Sequence, residues 1–228
     1  MNIQTNIPSR NLSPTIKPNF AGIPDDLKAI PNWLLWKLLP SKKPGGKPRK
    51  FPCRADGEAC SWTDPQNWSS FEAVEAACKQ GGYAGIGFVF DGQPDENGLV
   101  LTGTDIDHCI DNGVVGQDAA SWLSGLDTYA ELSPSGTGVH AIGWAEPYTG
   151  SADGWEMWHG GRYFTITGVP VPGFNTPLAV NAAVEPFRKA AEYAQAGKGL
   201  TEARTGDRAA TKHSRAAIPQ PGRDRRQR

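Results

Sequence analysis

Between Ala84 and Gly168 the chain is cut into short apolar runs by turn residues, and this spacing limits the possible folds more than any other feature. Ala84–Phe90 is a continuous apolar run, as expected of a strand covered on both faces. Leu99–Asp107, Thr128–Leu132, Val139–Trp144, Trp155–Trp158 and Tyr163–Thr167 follow as further strands, with Gly, Pro, Asp and Ser between them. Hairpin-length connections are frequent, and the order is not a regular βαβ alternation. The expectation is an α+β domain with a mixed or mostly antiparallel sheet.

The flanking sequence supplies the helices. Pro24–Ile30 reads as a short helix with Pro at its first position and acids in its first turn. Trp33–Leu39 is bulky and bounded by prolines, hence a strand. A basic loop, Ser41–Lys50, leads into a brief strand, Lys50–Cys53, and Asp56-Gly57 marks a hairpin turn. Asp64-Pro65 opens a helical turn. Ser69-Ser70 caps a helix over Phe71–Gln80, whose Phe71, Val74 and Cys78 share a face and which Gly81-Gly82 ends. Helices are also expected at Asp118–Leu126 and at Val180–Ala194, the latter with Val184, Phe187 and Ala191 inward. Residues 1–22 are polar, dotted with proline and without period, and read as a disordered leader. The globular domain then spans 23–196, and a basic, flexible tail covers 197–228.

With 228 residues the chain suits one sizeable domain. No apolar run approaches the ~20 residues of a membrane span, and the N-terminus has no secretory pattern. A cytoplasmic protein without a membrane partner is expected. The four cysteines, Cys53, Cys60, Cys78 and Cys109, form no C-x-x-C pair and read as reduced thiols; a zinc site from Cys53, Cys60, His108 and Cys109 fits no standard spacing. The formal net charge of −1 conceals an asymmetry: residues 198–228 hold nine Lys/Arg against three acids, a net of +6. A basic tail on an acidic body points to nucleic acid.

The candidate chemistry lies in the strand-rich stretch. Asp105 and Asp107 stand at i and i+2 at the end of an apolar strand, so both side chains lie on one face. Two carboxylates there repel each other, and a divalent cation relieves the cost. With 14 Asp in the chain, about one such spacing arises by chance, so the pair needs support. Ser133-Pro-Ser135-Gly136-Thr137-Gly138-Val-His140 provides it. Its glycines allow close backbone approach to an anion, its hydroxyls donate, and His140 begins the next strand in reach of a phosphate oxygen. Glu156 is an acid flanked by Trp155, Met157 and Trp158, a setting that a shared metal explains. Arg162 opens the neighbouring strand, where its guanidinium can grip a phosphate. Three carboxylates (about −3), two Mg²⁺ or Mn²⁺ ions (+4) and a nucleoside triphosphate (about −4) leave a deficit of roughly −3. His140, Arg162 and the loop cations Lys47, Arg49 and Lys50 are candidates to meet it, the last three as template or phosphate contacts.

The order Gly-Thr-Asp105-Ile-Asp107-His-Cys, Ser-Pro-Ser135-Gly-Thr-Gly-Val-His140, Glu156-Met-Trp and Gly-Arg162-Tyr-Phe-Thr-Ile-Thr-Gly resembles the archaeo-eukaryotic primase superfamily. It looks closest to the primase-polymerase domains of phage and plasmid replication proteins, and the likeness covers about Ile30 to Gly168. The resemblance implies an RRM-like catalytic core flanked by helices. It implies a nucleotidyltransferase that copies a single-stranded DNA template from NTPs or dNTPs, with a replicative helicase in trans as a further partner. Asp105, Asp107 and Glu156 would hold the metals, and Ser135 and His140 would meet the triphosphate, with Gly136, Thr137 and Arg162 beside them. Two other readings remain open on the residues: a catalytically idle nucleotide- and DNA-binding replication module, and a metal-dependent nuclease. The triphosphate-type turn argues against the nuclease.

The tail generates its own prediction. If most of its net +6 meets single-stranded phosphates, deleting residues 198–228 lowers the slope of log K against log salt by up to about 4, at roughly 0.7 per phosphate. An unchanged slope in a salt titration of template binding makes the tail a solvated linker.

Overall fold

The computed structural model describes residues 15–152, 154–171 and 174. Within them the helices are α1 (Asp25–Lys28), α2 (Phe71–Gln80) and α3 (Gln117–Leu126). The strands are β1 (Trp33–Leu39), β2 (Arg49–Cys53), β3 (Gly85–Asp91), β4 (Val100–Ile106), β5 (Ile110–Asp111), β6 (Val114–Val115), β7 (Tyr129–Leu132), β8 (Val139–Ala145), β9 (Gly150–Ala152), β10 (Trp155–Trp158) and β11 (Gly160–Ile166). They form a four-stranded sheet ordered β11-β3-β1-β2, a five-stranded sheet ordered β7-β8-β4-β10-β9 and the small ribbon β5-β6. Every pairing among them is antiparallel, so the α+β class with mostly antiparallel strands is borne out, in two large sheets where one was expected.

The two large sheets meet through a column of rings. Phe71 on α2 stands edge-on to Trp33, Trp33 to Phe88, Phe88 to Phe90 and Phe90 to Phe164, with centroids 5.0–5.5 Å apart. Such pairs each add about 0.5–1.5 kcal/mol beyond the area they bury. Period 2 explains the column: Ile86, Phe88 and Phe90 alternate with Gly87 and Val89, and the register sets Trp33 and Phe164 beside Phe88. Leu101, Tyr129 and Ile142 of the five-stranded sheet join this core. The opposite face of that sheet carries Ile106, Ala130 and Val139 onto α3, against Ala119, Leu123 and Leu126.

Several expectations need correction. Residues 15–22, expected within a disordered leader, are held in the fold: the Ile16 N–H donates to Pro134 O at 2.9 Å and the Asn19 N–H to Thr167 O at 2.7 Å. Phe20 packs edge-on to Phe71. The segment lacks a period because its partners are distant backbone carbonyls. The ribbon β5-β6 was not expected, although Asn112-Gly113 is a strong hairpin signal; both residues have positive φ, 49° and 79°. Strand β9 was also missed, since Gly-Ser-Ala has no apolar alternation and owes its pairing to β10. The expected first 14 leader residues, the helix at 180–194 and the tail lie outside the described residues. Among the described residues no helix is long and apolar enough to cross a membrane.

Gly103 on β4 lies close against the ring column of the four-stranded sheet. A Cβ there would lie 2.5 Å from Phe90 Cζ and 2.7 Å from Phe164 Cε2, both inside the ring column. Gly103→Ala is expected to cost about 1–3 kcal/mol by overpacking and to lower the melting temperature by roughly 3–10 °C, read from thermal unfolding.

Candidate active site

One row of residues crosses the five-stranded sheet at the end nearest its turns. Glu131 on β7 pairs with His140 on β8, His140 with Asp105 on β4, and Asp105 with Glu156 on β10. Paired positions in antiparallel strands point to the same face, so four ionisable side chains stand abreast. The next row inward is Tyr129, Ile142, Gly103 and Trp158, on the face that joins the aromatic core. The site therefore lies where the core ends.

Glu131 anchors the row. It is 0% exposed, and its carboxylate makes five contacts with four groups. Tyr129 Oη donates at 2.7 Å, the Gly168 N–H at 2.7 Å and the Thr167 N–H to both oxygens at 3.1 Å. His140 Nδ1 lies 3.2 Å from Oε1, within hydrogen-bond distance. An ionised carboxylate is acceptor-only, and here the Tyr129, Thr167 and Gly168 partners are donors. The same environment, burial first and the Glu131 charge and hydrogen bond next, pushes the Tyr129 phenol far above its ordinary range. Gly168, at φ 64°, makes the turn that brings its N–H to Glu131, a left-handed conformation that suits glycine.

His140 is thereby oriented. It is 2% exposed, stacks on Phe164 with centroids 5.1 Å apart, and turns Nε2 toward Asp105 Oδ1 at 3.7 Å. Asp105 Oδ1 is buried and has no hydrogen-bond partner. Burial raises the Asp105 carboxyl above the ordinary carboxylate range; His140 opposes the rise, Asp107 adds to it, Lys50 opposes it and Glu156 adds to it. Asp107 stands just beyond β4, exposed, its N–H donating to Gly154 O at 2.9 Å.

The cations are divided. Arg162 Nη2 donates to Glu156 Oε2 at 2.9 Å while its guanidinium lies 4.7 Å from the Trp158 ring centroid, and Trp158 Nε1 donates to the same oxygen at 2.9 Å. Lys50 Nζ donates to Thr165 Oγ1 at 3.0 Å. Burial of the ammonium lowers its pKa, and the charges of Asp105 and Asp107 pull it back up. Arg49, also expected to face phosphate, alternates to the other side of β2, and Lys47 is exposed in the loop; neither lines the cavity. That cavity has a volume of about 220 Å³ and is lined by Lys50, Trp62, Asp105, His140, Arg162, Tyr163, Phe164 and Thr165.

The Ser135-Gly136-Thr137 turn is built as a linked set of hydroxyls. Ser133 Oγ lies 3.0 Å from Ser135 Oγ, which lies 2.9 Å from Thr137 Oγ1, and Ser133 Oγ accepts the Gly138 N–H at 3.2 Å. Gly136 has φ 73°. The turn sits on the row beyond His140, outside the cavity lining.

The donor set suits a hard divalent cation in kind, because all three expected ligands are carboxylates and Asp105 offers a buried oxygen without a hydrogen-bond partner. It is not a closed cage: among the described residues no three His, Cys, Asp or Glu side chains converge as a metal site, and Glu156 is engaged by Arg162 and Trp158. The four cysteines are free thiols, so the zinc arrangement set aside on spacing has no support here. Sequence reasoning missed Glu131, although an acid two residues after Tyr129 in an apolar strand carries the same signal as Glu156. It also missed Trp62, Tyr163 and Thr165, for which no local signal exists.

No family model matches the chain. It is 30% identical over 152 residues to the DNA primase-polymerase of Nitratiruptor phage NrS-1, a match that covers 62% of this chain and 20% of that protein. The chain thus spans only about a fifth of the curated relative it matches. Over those 152 residues the chain is thus similar to part of a phage DNA primase-polymerase.

Proposed function

We propose that this chain is a DNA-directed primase-polymerase domain of a phage or plasmid replication system, joining NTPs or dNTPs on a single-stranded DNA template. The observation that carries the reading is the in-register row Glu131–His140–Asp105–Glu156, flanked by Arg162 and Lys50 at one cavity. The named relative supports it. The five-stranded sheet with α3 behind it would be the catalytic core of the primase-polymerase fold.

In this reading Asp105, Asp107 and Glu156 hold two Mg²⁺ or Mn²⁺ ions. Bound there, the ions supply charge neutralisation for the triphosphate and activation of the attacking hydroxyl. The chain's own side chains position the substrate. His140, fixed by Glu131 through Nδ1, presents Nε2 to a phosphate oxygen. Arg162 leaves Glu156 for the more highly charged triphosphate, and Lys50 adds a second cation near Asp105. The turn Ser135–Thr137 offers its hydroxyls at the outer end, while the N–H groups of Gly136 and Thr137 are bonded within the turn. A replicative helicase in trans and a cytoplasmic setting belong to the same proposal.

The Arg162–Glu156 ion pair favours a second reading, an idle nucleotide- and DNA-binding module, since it occupies an expected metal ligand. Incubation with labelled nucleotides, Mn²⁺ and single-stranded template separates the readings. Primer synthesis or extension supports the enzyme, no product supports the idle module, and shortening of the template means a nuclease.

Two predictions follow from the geometry. His140→Ala and Arg162→Ala are expected to raise the apparent KM for nucleotide roughly 10- to 150-fold while template affinity holds, because each loses a charge-assisted phosphate contact. Steady-state kinetics and a template-binding titration read the split. Asp105→Asn is expected to abolish incorporation and remove most of the thermal shift conferred by Mn²⁺. Because the Asp105 carboxyl is raised in the fold, its ionised form is penalised there. Metal-free wild type therefore loses stability as pH rises from the ordinary value of 3.8 through the raised one. The Asn variant should melt higher than metal-free wild type at pH 7 and no higher below pH 3.8, as melting curves across pH would show.

A further inference from the structure

One wall of the cavity has no part in the phosphate chemistry. Trp62 belongs to the segment between β2 and α2, yet its indole Nε1 donates to Gly161 O at 3.3 Å, across 99 residues of chain. Its ring centroid lies 5.5 Å from that of Tyr163 on β11, with 43° between the planes. Trp68 Nε1 donates to Trp62 O at 2.8 Å, which pins the backbone behind the ring. Both rings line the cavity with Lys50, Asp105, His140 and Arg162, and both remain half-buried, so each keeps an accessible portion. Burial pushes the Tyr163 phenol up to about 12, so this wall is neutral and does not repel an anion.

Size narrows the occupant. About 220 Å³ is below the roughly 300–1,000 Å³ of pockets that enclose a whole small molecule, so the cavity accepts a planar group and the start of its polar extension. A nucleotide divides in just that way, with a flat apolar base at one end and oxyanions at the other. Arg162 is bonded to Glu156 and Lys50 feels the charges of Asp105 and Asp107, while Trp62 meets Tyr163.

We propose that Trp62, backed by Tyr163, is the platform on which the base of the bound nucleoside triphosphate stacks, its phosphates directed toward Arg162 and His140. The proposal rests on the nucleotide-binding reading above. Every base has a π-face, so the platform is indifferent to base identity and leaves that choice to the template.

The test uses the full chain with Mn²⁺ and three probes: dATP, dCTP and inorganic tripolyphosphate, which lacks base and sugar. Wild type is expected to bind both nucleotides roughly 5- to 100-fold more tightly than tripolyphosphate, with similar affinity for the two. Trp62→Ala should erase that preference while tripolyphosphate binding stays as in wild type. Trp62→Phe should keep most of the preference yet lose the tryptophan quenching that nucleotide, and not tripolyphosphate, produces in wild type. A Trp62→Ala protein that retains the preference, or a Trp62→Phe protein that retains the quenching, overturns the platform while nucleotide binding stands. If wild type binds neither nucleotide nor tripolyphosphate, the nucleotide reading itself falls and takes the platform with it. Should Trp62→Ala fail to fold by circular dichroism, the quenching in Trp62→Phe decides.

Discussion

A carboxylate buried to 0% exposure dominates the structure, because an uncompensated charge in that position would cost more than most single contacts return. Glu131 is compensated from three separate parts of the chain: its own strand through Tyr129, the neighbouring strand through His140, and the segment after β11 through the N–H groups of Thr167 and Gly168. Satisfying one side chain therefore ties the four-stranded sheet to the five-stranded one. The Ile16–Asn19 segment closes over the same place, bonding to Pro134 and Thr167.

The aromatic column does the complementary apolar work. It runs from Phe71 on α2 to Phe164 on β11, and His140 stacks on its last ring. His140 is thus held by stacking on one face and by a hydrogen bond at Nδ1, leaving Nε2 directed at Asp105. Preorganisation of this kind matters for phosphoryl chemistry, in which the protein contributes position and electrostatics rather than covalent bonds. The remaining tension sits at Asp105, whose buried oxygen has no hydrogen-bond partner, and at Glu156, whose partner is Arg162. An anion that draws Arg162 away and a cation that meets Asp105 would relieve both together, and this joins the metal and nucleotide parts of the proposal.

The strands and the longer helix were legible from local apolar pattern, and the candidate carboxylates as acids set in apolar strands. Trp33–Leu39, Phe71–Gln80 and Trp155–Trp158 have the expected limits; Asp105 stands in β4, whereas Asp107 lies just beyond its end at Ile106. Glu131 was legible by the same rule and was passed over, as was the turn at Asn112-Gly113. Residues 15–22 were misjudged because an extended segment with non-local hydrogen bonds has no periodic signature.

By itself, then, the sequence determined the α+β class, most of the strands, and the candidate residues Asp105, Asp107, His140, Glu156 and Arg162, since local alternation and residue chemistry act over a few positions. The tertiary structure decided which of those residues stand abreast, that Lys50 rather than Lys47 or Arg49 reaches the cavity, and that Trp62 meets Tyr163 across about a hundred residues. Register and sheet-on-sheet packing are set by the summed burial of many side chains, and no window of sequence contains both partners of such a contact.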